Sequence, residues 1–371
     1  MVDVLVVGSG PAGLAVAAEL GRRGAACRVL ERGDAVGTSW RNAYESLHLH
    51  TAAFLSALPG LPFPRSEGMW VSRRGVVSYL EAYARHHRLD VQTGAEVCRI
   101  DRDGAGWALE TSRGTLTAPV VVVATGQNRV PHLPDWPGRE RFAGRLLHSA
   151  DYRDPAPFAG ARVLVVGSGN SGAEIAANLA SGGAGRVWMA VRTPPSIMPR
   201  MGWPLPTPVL GIAAHRLPAG MVDWFARSIQ RIALGDLPRH GLPAPPPGAF
   251  RRALRGAAIP VVDAGIVAAV RSGLVEVVPP PARFESTRVV MEDGRRLDAD
   301  AVVVATGFRT GLEPLVGHLG VLDGRGQPAV HAERESPGAP GLHFVGYVSA
   351  LSGQLREIGR QARRLGRHLE R

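Results

Sequence analysis

The stretch VDVLVVGSGPAGLAVAAELGRRG at residues 2–24 predicts the start of an α/β domain. Its largely apolar residues 3–7 are long enough for a buried parallel strand, and an apolar helical pattern follows the glycines. The stretch CRVLE at 27–31 predicts a second strand that ends on an acid. Strand, glycine-rich turn, helix, strand and acid together form the complete dinucleotide-binding context, which is far more specific than an isolated G-x-G-x-x-G.

Each glycine of this turn has a physical role. Gly8 allows the tight turn, Gly10 lets the backbone approach a pyrophosphate, and Gly13 lets the helix pack close to the strand. The pyrophosphate then lies on unpaired N–H groups at the positive end of the helix. Glu31 ends the second strand, where its carboxylate can accept hydrogen bonds from both hydroxyls of an adenosine ribose. The first unit therefore predicts a dinucleotide with a free ribose.

The same arrangement returns in RVLVVGSGNSGAEIAANLA at 162–180. Three glycines again separate a strand from a helix: Gly167, Gly169 and Gly172. The next strand, RVWMAVR at 186–192, ends at Arg192, which we expect to stand where the first unit has Glu31. A guanidinium pairs with a 2′-phosphate in a fork geometry, whereas a carboxylate repels it. The second unit therefore predicts NADP(H) rather than NAD(H).

A second pair of matching segments supports a duplication of the dinucleotide-binding unit. VVVVATG at 120–126 and VVVATG at 302–307 are apolar strands that end in Ala-Thr-Gly, one after each glycine-rich unit. Strands that end in glycine at the sheet edge where a cofactor binds are typical of doubly wound sheets. The sequence therefore predicts an α/β fold with two doubly wound, Rossmann-like dinucleotide-binding domains.

The composition excludes several classes of protein. All 43 residues counted as Lys plus Arg are arginine, and the formal net charge is +11. An arginine-only chain rich in Ala, Gly and Pro is typical of a GC-rich genome, so we interpret this charge as background and predict no nucleic-acid partner. Two cysteines exclude a disulfide scaffold and a C-x-x-C redox pair. The 12 histidines show no metal-ligand spacing, so no metal is predicted.

Membrane and export signals are absent from the sequence. No apolar run approaches the roughly 18 residues that a membrane-spanning helix needs. No basic region precedes an apolar stretch at the N-terminus, as it would in a secretory signal. We therefore expect a cytoplasmic protein with no transmembrane segment.

The segment FAGRLLHSADY at 142–152 resembles the signature of a known family. It matches F-x-G-x-x-x-H-x-x-x-[YF] at each defined position: Phe142, Gly144, His148 and Tyr152. With its place just before the second glycine-rich strand, the signature resembles that of the class B flavin-dependent monooxygenases, which carry FAD and NADPH sites on one polypeptide. The Baeyer–Villiger branch usually ends this signature in Trp, so Tyr152 favours the flavin-containing monooxygenase branch.

Further segments are similar to the plant YUCCA-type enzymes and their bacterial relatives, which oxidatively decarboxylate an indole-containing 2-oxo acid. These segments are GTSW at 37–40, YESLHLHT at 44–51, IPVVDAG at 259–265, ARF at 282–284, DADAVVVATGF at 298–308, GLHFVGY at 341–347 and SGQLREIG at 352–359. His50 stands where animal-type enzymes have asparagine and YUCCA-type enzymes have histidine. The likeness therefore weakens a direct transfer of amine N-oxygenation.

The resemblance implies the domain plan and its cofactors. Residues 1–155 form the first part of an FAD-binding domain, residues 156–300 form an inserted NADPH-binding domain, and residues 301–371 return to the FAD-binding domain. A proline-rich stretch around 203–248 interrupts the second domain and is predicted to be an insertion or a lid.

The motifs and the resemblance together imply a set of site residues. The predicted FAD ligands are Gly8, Gly10, Pro11, Ala12, Gly13, Glu31, Arg32, Trp40, His50, Thr51, Val97, Thr125, Gly126, Gln354 and Leu355. The predicted NADPH ligands are Gly167, Gly169, Asn170, Ser171, Gly172, Arg192, Thr193 and Arg200. The predicted catalytic residues are His50 and Asn170.

The reaction that the resemblance implies uses NADPH to reduce FAD, after which O2 forms a C4a-(hydro)peroxyflavin that oxygenates a small organic substrate. Three alternatives stay open. The enzyme is a Baeyer–Villiger or oxidatively decarboxylating oxygenase, or a flavin reductase that never oxygenates, or a nucleotide-sensing or nucleic-acid-binding protein. The sequence does not distinguish a monomer from a homodimer.

Overall fold

The computed structural model describes residues 2–202, 205–207, 228, 230, 232–245, 248, 260–350 and 352–370. The chain forms two compact units. The first comprises Met1–Asn42, Thr51–Val130 and Phe308–Arg371, and the second comprises Ala43–His50 and Pro131–Gly307. Most of the insertion predicted around 203–248 lies outside the described residues.

A five-stranded parallel sheet forms the centre of the first unit. With strands numbered along the chain, its order is β22 (Leu342–Phe344), β7 (Val120–Val123), β1 (Val4–Val7), β2 (Cys27–Leu30) and β3 (Asp90–Gln92). An antiparallel meander follows β3 and consists of β4 (Val97–Asp103), β5 (Gly106–Thr111) and β6 (Gly114–Ala118). The central strands are continuous apolar runs because both faces of a covered parallel sheet are buried.

Helices and the meander cover opposite faces of this sheet. On one face, Leu5 and Val123 share a core with Trp107 and Leu109 of the meander. On the other face, α1 approaches Val6 of the central strand. The helices of this unit are α1 (Pro11–Gly21), α2 (Thr38–Arg41), α3 (Ala53–Ser56), α4 (Arg73–His86), α7 (Glu313–Val316) and α8 (Gln354–Leu369), with 3-10 turns at Arg65–Glu67 and Gly317–Leu319.

The second unit repeats this architecture. Its parallel sheet has the order β16 (Val275–Val278), β11 (Arg186–Ala190), β10 (Arg162–Val166), β20 (Ala301–Val304) and β9 (Arg145–His148), and its meander is β17 (Pro281–Phe284), β18 (Val289–Met291) and β19 (Arg296–Leu297). The helices whose bounds the structure describes in this unit are α5 (Asn170–Ser181) and α6 (Ile266–Arg271), with 3-10 turns at Arg139–Arg141, Ala156–Phe158 and Leu237–His240. The sheet has α5 and α6 on one face and the meander on the other.

Three two-stranded ribbons complete the described strands. They are β8 (Val130–Pro131) with β21 (Phe308–Arg309), β12 (Ile197–Met198) with β15 (Val261–Val262), and β13 (Met201–Gly202) with β14 (Leu205–Pro206). The two large sheets correspond strand for strand, since β1, β2, β3 and β7 take the places of β10, β11, β16 and β20. The predicted fold class, two doubly wound Rossmann-like domains with one inserted in the other, is confirmed.

The boundaries of the units differ from those expected at 155/156 and 300/301. The chain passes into the second unit already after Val130, because β9 is an edge strand of that unit's sheet and pairs with β20. Strand β20 lies inside the same sheet and therefore cannot begin the return segment. The short stretch Ala43–His50 also belongs to the second unit, which the sequence did not indicate.

The two glycine-rich turns have the same internal crowding. Gly8 and Gly167 have φ values of +104° and +121°, a region that residues with a side chain rarely adopt. A Cβ added to Gly13 would lie 1.9 Å from the carbonyl oxygen of Gly8, and one added to Gly172 would lie 2.0 Å from that of Gly167. Each helix therefore touches its turn backbone to backbone, as the sequence predicted for the third glycine.

A pair of matched variants tests this crowding. We expect Gly172→Ala to lower the free energy of unfolding by about 1–3 kcal/mol, because the new methyl group overpacks a contact with rigid backbone. Gly169→Ala adds the same methyl group where no atom lies within 4 Å, so its stability should stay within about 0.5 kcal/mol of the parent. Thermal unfolding of cofactor-free protein measures both, and equal melting temperatures would show that the contact is not tight.

Candidate functional site

An open space lies in front of the middle glycine of each turn. No heavy atom stands within 4 Å of a Cβ built on Gly10 or on Gly169. These glycines are also the N-caps of α1 and α5, and neither helix start receives a side-chain capping hydrogen bond. A pyrophosphate fits such a place, because the helix N-terminus offers N–H donors and a positive dipole end. Both turns therefore fit a dinucleotide, as the sequence predicted.

Glu31 stands directly after β2 and is 6 % exposed. Its Oε2 accepts hydrogen bonds from the Ser9 backbone N–H at 2.9 Å and the Ser9 hydroxyl at 2.7 Å. Its Oε1 accepts from the Gly33 N–H at 2.9 Å and the Thr38 hydroxyl at 3.2 Å. The carboxylate thus joins the first turn to the chain that follows β2. Its position at the carboxyl end of the strand is where an adenosine ribose is held in this fold.

The register of the second unit corrects one sequence prediction. The Gly8 N–H donates to the Leu30 carbonyl, and the Gly167 N–H donates to the Ala190 carbonyl. Leu30 and Ala190 are therefore equivalent, so the counterpart of Glu31 is Val191. The prediction that Arg192 takes the place of Glu31 is therefore wrong. Arg192 takes the place of Arg32, the residue after Glu31. The reason is that the paired register of β10 and β11 ends at Ala190, one residue earlier than the apolar pattern of the sequence indicated.

The corrected alignment changes what distinguishes the two turns. Val191 is 8 % exposed, so an apolar side chain replaces the carboxylate at this position. Arg192 and Thr193 follow it on the surface, and the Thr193 carbonyl accepts a hydrogen bond from the Ser168 hydroxyl at 3.1 Å. Ser168 is the counterpart of Ser9, which donates to Glu31 in the first turn. The second turn therefore carries no acid at this point and has a guanidinium at its rim.

Several predicted FAD residues meet around the carboxyl ends of the first sheet. Thr125, which follows β7, hydrogen-bonds the Tyr347 hydroxyl at 2.8 Å, and burial raises the pKa of that hydroxyl to about 12. Ala12, beside Pro11 at the start of α1, lies against Gly346, because a Cβ on that glycine would approach the Ala12 Cβ to 2.9 Å. Gly126 directly follows Thr125 with a φ of +81°.

The start of α8 brings further predicted residues together. Gln354 donates from Nε2 to the Gly346 carbonyl at 2.8 Å, and Leu355 is buried. A Cβ on Gly353 would meet the Thr51 side chain at 2.8 Å, so Thr51 lies against the N-terminus of this helix. The other predicted FAD residues are a buried Val97 at the start of β4, a half-buried Trp40 in α2 and an exposed Arg32.

Asn170 has a different environment from the one its predicted roles suggest. Its side-chain amide donates to the Pro260 carbonyl at 3.4 Å, and its amide oxygen accepts from the Val262 N–H at 2.9 Å. Both ends of the amide thus hold the short strand β15 against the start of α5. This engagement with backbone is a positioning contact within the second unit.

A buried carboxylate that the sequence did not single out joins several of the predicted residues. Glu174, in α5, accepts a hydrogen bond from the Tyr44 hydroxyl at 2.6 Å and contacts Nε2 of His50. The Ser171 side chain hydrogen-bonds the same Tyr44 hydroxyl. Burial and the Glu174 charge raise the pKa of Tyr44 well above its usual value, so this phenol stays protonated and donates. No sequence signal links residues 44–50 with α5, because more than 120 positions separate them.

The four residues of the family signature hold the edge of the second sheet. His148, on β9, contacts the Gly307 carbonyl through Nε2 at 3.0 Å and accepts from the Ala150 N–H, and burial lowers its pKa. Tyr152 donates to Asn178 at 2.6 Å. Phe142 packs edge-on against Phe284, and Gly144 leaves room for the Phe142 ring. The signature is therefore structural in this unit.

A pocket of about 570 Å³ lies beside α5 and α6 in the second unit. Its lining includes Glu174, Asn178, His48 and Arg200. Arg200, predicted as a second 2′-phosphate ligand, lines this pocket. The sequence had no signal for this placement.

Among the described residues, no group of three or more His, Cys, Asp or Glu side chains is placed to hold a metal ion. No described helix has the length and apolar character that crossing a bilayer requires.

The Glu31 contacts generate a testable prediction. In Glu31→Gln, one acceptor oxygen becomes an amide donor that faces another donor, which should cost about 1–3 kcal/mol and lower flavin retention. The measurement is bound flavin per protein after purification, together with the melting temperature. Asp34→Asn, three residues on and exposed, is the matched control and should keep full occupancy. Normal flavin content in Glu31→Gln would remove Glu31 from the cofactor site.

Comparisons with known proteins agree with this geometry. The family model described as pyridine nucleotide-disulphide oxidoreductase matches residues 5–199. The chain is 35% identical over 350 residues to an indole-3-pyruvate monooxygenase, YUCCA1, of Oryza sativa subsp. japonica, covering 93% of this chain and 86% of that protein. It is 32% identical to a probable indole-3-pyruvate monooxygenase, YUCCA8, of Arabidopsis thaliana, covering 98% of this chain and 88% of that protein.

A solved structure gives the same assignment. A double mutant of a flavin monooxygenase from Stenotrophomonas maltophilia superposes with a TM-score of 0.78 at 30% identity and covers 100% of this chain and 98% of that one. FAD and NADPH are thus the cofactors of this enzyme, and a small molecule and O2 are its substrates. The chain belongs to the pyridine nucleotide-disulphide oxidoreductase family and, within it, to the class B flavin-dependent monooxygenases, which use NADPH, O2 and FAD.

Proposed function

We propose that this monooxygenase oxidatively decarboxylates a 2-oxo acid that carries an aromatic side chain. Its plant relatives are named as monooxygenases of one such acid, indole-3-pyruvate. The observation that carries the proposal is the 35% identity to an indole-3-pyruvate monooxygenase along 93% of the chain. His50 supports it, because histidine is the residue that YUCCA-type sequences have at this place. The second candidate is oxygenation of a heteroatom, which Tyr152 at the end of the family signature favours.

The proposed reaction balances with the cofactors of the family. One 2-oxo acid, one O2, one NADPH and one proton yield a carboxylic acid shorter by one carbon, CO2, NADP⁺ and water. The bond between the keto carbon and the carboxyl group breaks, and one oxygen atom of O2 enters the new carboxylic acid. NADPH supplies the two electrons that reduce the other oxygen atom to water.

The first unit is proposed to hold FAD. When bound, FAD supplies the redox chemistry, because it takes a hydride from NADPH and passes electrons to O2. The turn from Gly8 to Gly13 offers its N–H groups to the pyrophosphate, and Glu31 accepts from the ribose hydroxyls. Thr51, Thr125 and the start of α8 complete the proposed contacts.

The second unit is proposed to hold NADPH. The turn from Gly167 to Gly172 receives the pyrophosphate, and Ser171 lies in the first turn of α5 beside it. Val191 puts no negative charge near the ribose, and Arg192 with Thr193 offers a guanidinium and a hydroxyl to the 2′-phosphate. The Stenotrophomonas double mutant named above carries an introduced Arg-Thr pair, the same dipeptide as Arg192-Thr193.

We propose a cytoplasmic location for this protein. Cys27 and Cys98 are free thiols, and Cys98 is exposed, which suits the reducing cytoplasm. A homodimer is the oligomeric state proposed for test by light scattering of the purified enzyme. Neither proposal affects the assignment of the cofactors.

Cofactor preference gives one prediction. Arg192→Glu should raise the Michaelis constant for NADPH about tenfold or more, because a charge-assisted pair becomes a repulsion, and should change that for NADH by less than about threefold. Steady-state oxidation of the two cofactors measures the difference. Arg141→Glu, an equal charge change on a side chain that is 83% exposed, is the control. Equal effects on both cofactors would take Arg192 away from the 2′-phosphate.

Substrate class gives another prediction. Indole-3-pyruvate and phenylpyruvate should accelerate NADPH oxidation, release CO2 and yield the shortened acids, while a thioether, a tertiary amine and a cyclic ketone should not. NADPH consumption, product and hydrogen peroxide are measured together, because peroxide release marks futile turnover. If a thioether or an amine is oxygenated with little peroxide release per NADPH, and the 2-oxo acids are not turned over, heteroatom oxygenation would replace this proposal.

A further inference from the structure

Glu174 is a buried carboxylate at the centre of a hydrogen-bonded cluster. Its side chain is 8% exposed, and it lies in α5, one turn beyond the glycine-rich turn of the second unit. Each of its two oxygens has a different partner. Oε2 accepts a hydrogen bond from the Tyr44 hydroxyl at 2.6 Å, and Oε1 contacts Nε2 of His50. Such a carboxylate is costly to bury unless its partners donate to it.

The neighbours of this cluster keep it in place. Tyr44 is 6% exposed and meets the Tyr152 ring edge-on at 6.3 Å. Tyr152 donates to Asn178, which lies one helical turn beyond Glu174 on α5. His50 is an ionisable base that contacts the Glu174 carboxylate through Nε2. The segment Ala43–His50 is therefore tied to α5 through two contacts to a single side chain.

The chemistry of the partners decides which nitrogen of His50 carries the proton. An ionised carboxylate only accepts hydrogen bonds, so Nε2 of His50 must donate to Oε1. In the neutral imidazole this leaves the lone pair on Nδ1. We propose that Glu174 is a positioning residue that fixes His50 in the Nε2–H tautomer, so that Nδ1 faces the reacting molecules as an acceptor.

This inference rests on the proposed function, because it assigns His50 to the oxygenation site. The imidazole is 26% exposed at its side chain, so it is accessible as well as anchored. An acceptor with a fixed direction can hold a proton-bearing group of the substrate in one orientation.

The substitution Glu174→Gln keeps the size of the side chain but should change which nitrogen of His50 carries the proton. The amide has the same size, and its oxygen can still accept from Tyr44. Its NH2 group then faces His50 as a donor, so Nε2 must accept and the proton must move to Nδ1. The tautomer is read by nitrogen-15 NMR of histidine-labelled protein, and the His50 signals are identified by their absence in His50→Asn. We expect the Nε2–H form in the parent and the Nδ1–H form in Glu174→Gln.

Turnover should follow the tautomer. With a coupled 2-oxo acid, Glu174→Gln should lower kcat about tenfold or more and raise peroxide release per NADPH, since an acceptor has become a donor. The Michaelis constant for NADPH should change by less than about twofold, because the turn that binds it is unaltered. Glu276→Gln is the matched control: this carboxylate belongs to the same unit, pairs with Arg186 and Arg295, and should leave kcat and peroxide release unchanged.

A double-mutant cycle tests whether Glu174 acts through His50. If it does, Glu174→Gln should have little further effect on kcat in a His50→Asn background, because no tautomer is left to set. Additive losses in the double variant would mean that Glu174 only supports the fold. An unchanged Nε2–H signal in Glu174→Gln, or unchanged kcat and peroxide release, would overturn the inference.

A failure of the proposed substrate class and a failure of the positioning role would give different results. If the parent enzyme turns over none of the 2-oxo acids, the proposed substrate class fails, but the NMR comparison still reports the tautomer. If the parent turns them over and Glu174→Gln behaves like Glu276→Gln, the proposed function stands and the positioning role fails.

Discussion

Both nucleotide turns depend on one steric constraint, the direct contact of a helix with the backbone of the turn before it. At Gly13 and at Gly172 an added Cβ would lie only 1.9 and 2.0 Å from a carbonyl oxygen of the preceding turn. This contact brings the first N–H groups of α1 and α5 to the end of the central strands and leaves open space at the middle glycine. The proposed binding of a pyrophosphate at each turn depends on that approach.

On this shared scaffold, a few side chains distinguish the two turns. In the first, the buried Glu31 gathers four donors and presents a carboxylate at the ribose edge. In the second, buried Val191 stands in its place, and Arg192 follows at the surface. We propose that this difference in charge at one strand end lets one fold, used twice, bind two different dinucleotides.

Local patterns predicted most of the fold and part of the site. The glycine spacing, the apolar strands and the Ala-Thr-Gly endings are short-range features, so both sheets and both turns followed from them. The counterpart of Glu31 was wrong by one residue, because counting along the chain does not reveal which residues pair across strands. The edge strand β9 was assigned to the wrong segment for the same reason, since its partner β20 is far away in sequence.

The fold class, the two glycine-rich turns and the family could be predicted from the amino-acid sequence, because each is carried by residues that lie close together in the chain. The contacts of Glu174 with Tyr44 and His50, of Asn170 with β15, and of the family signature around β9 are visible only in the folded chain. The physical reason is that a buried polar group needs a partner, and the partner is supplied by whichever segment the packing brings near. The spacing of residues along the chain does not predict which distant segments come into contact.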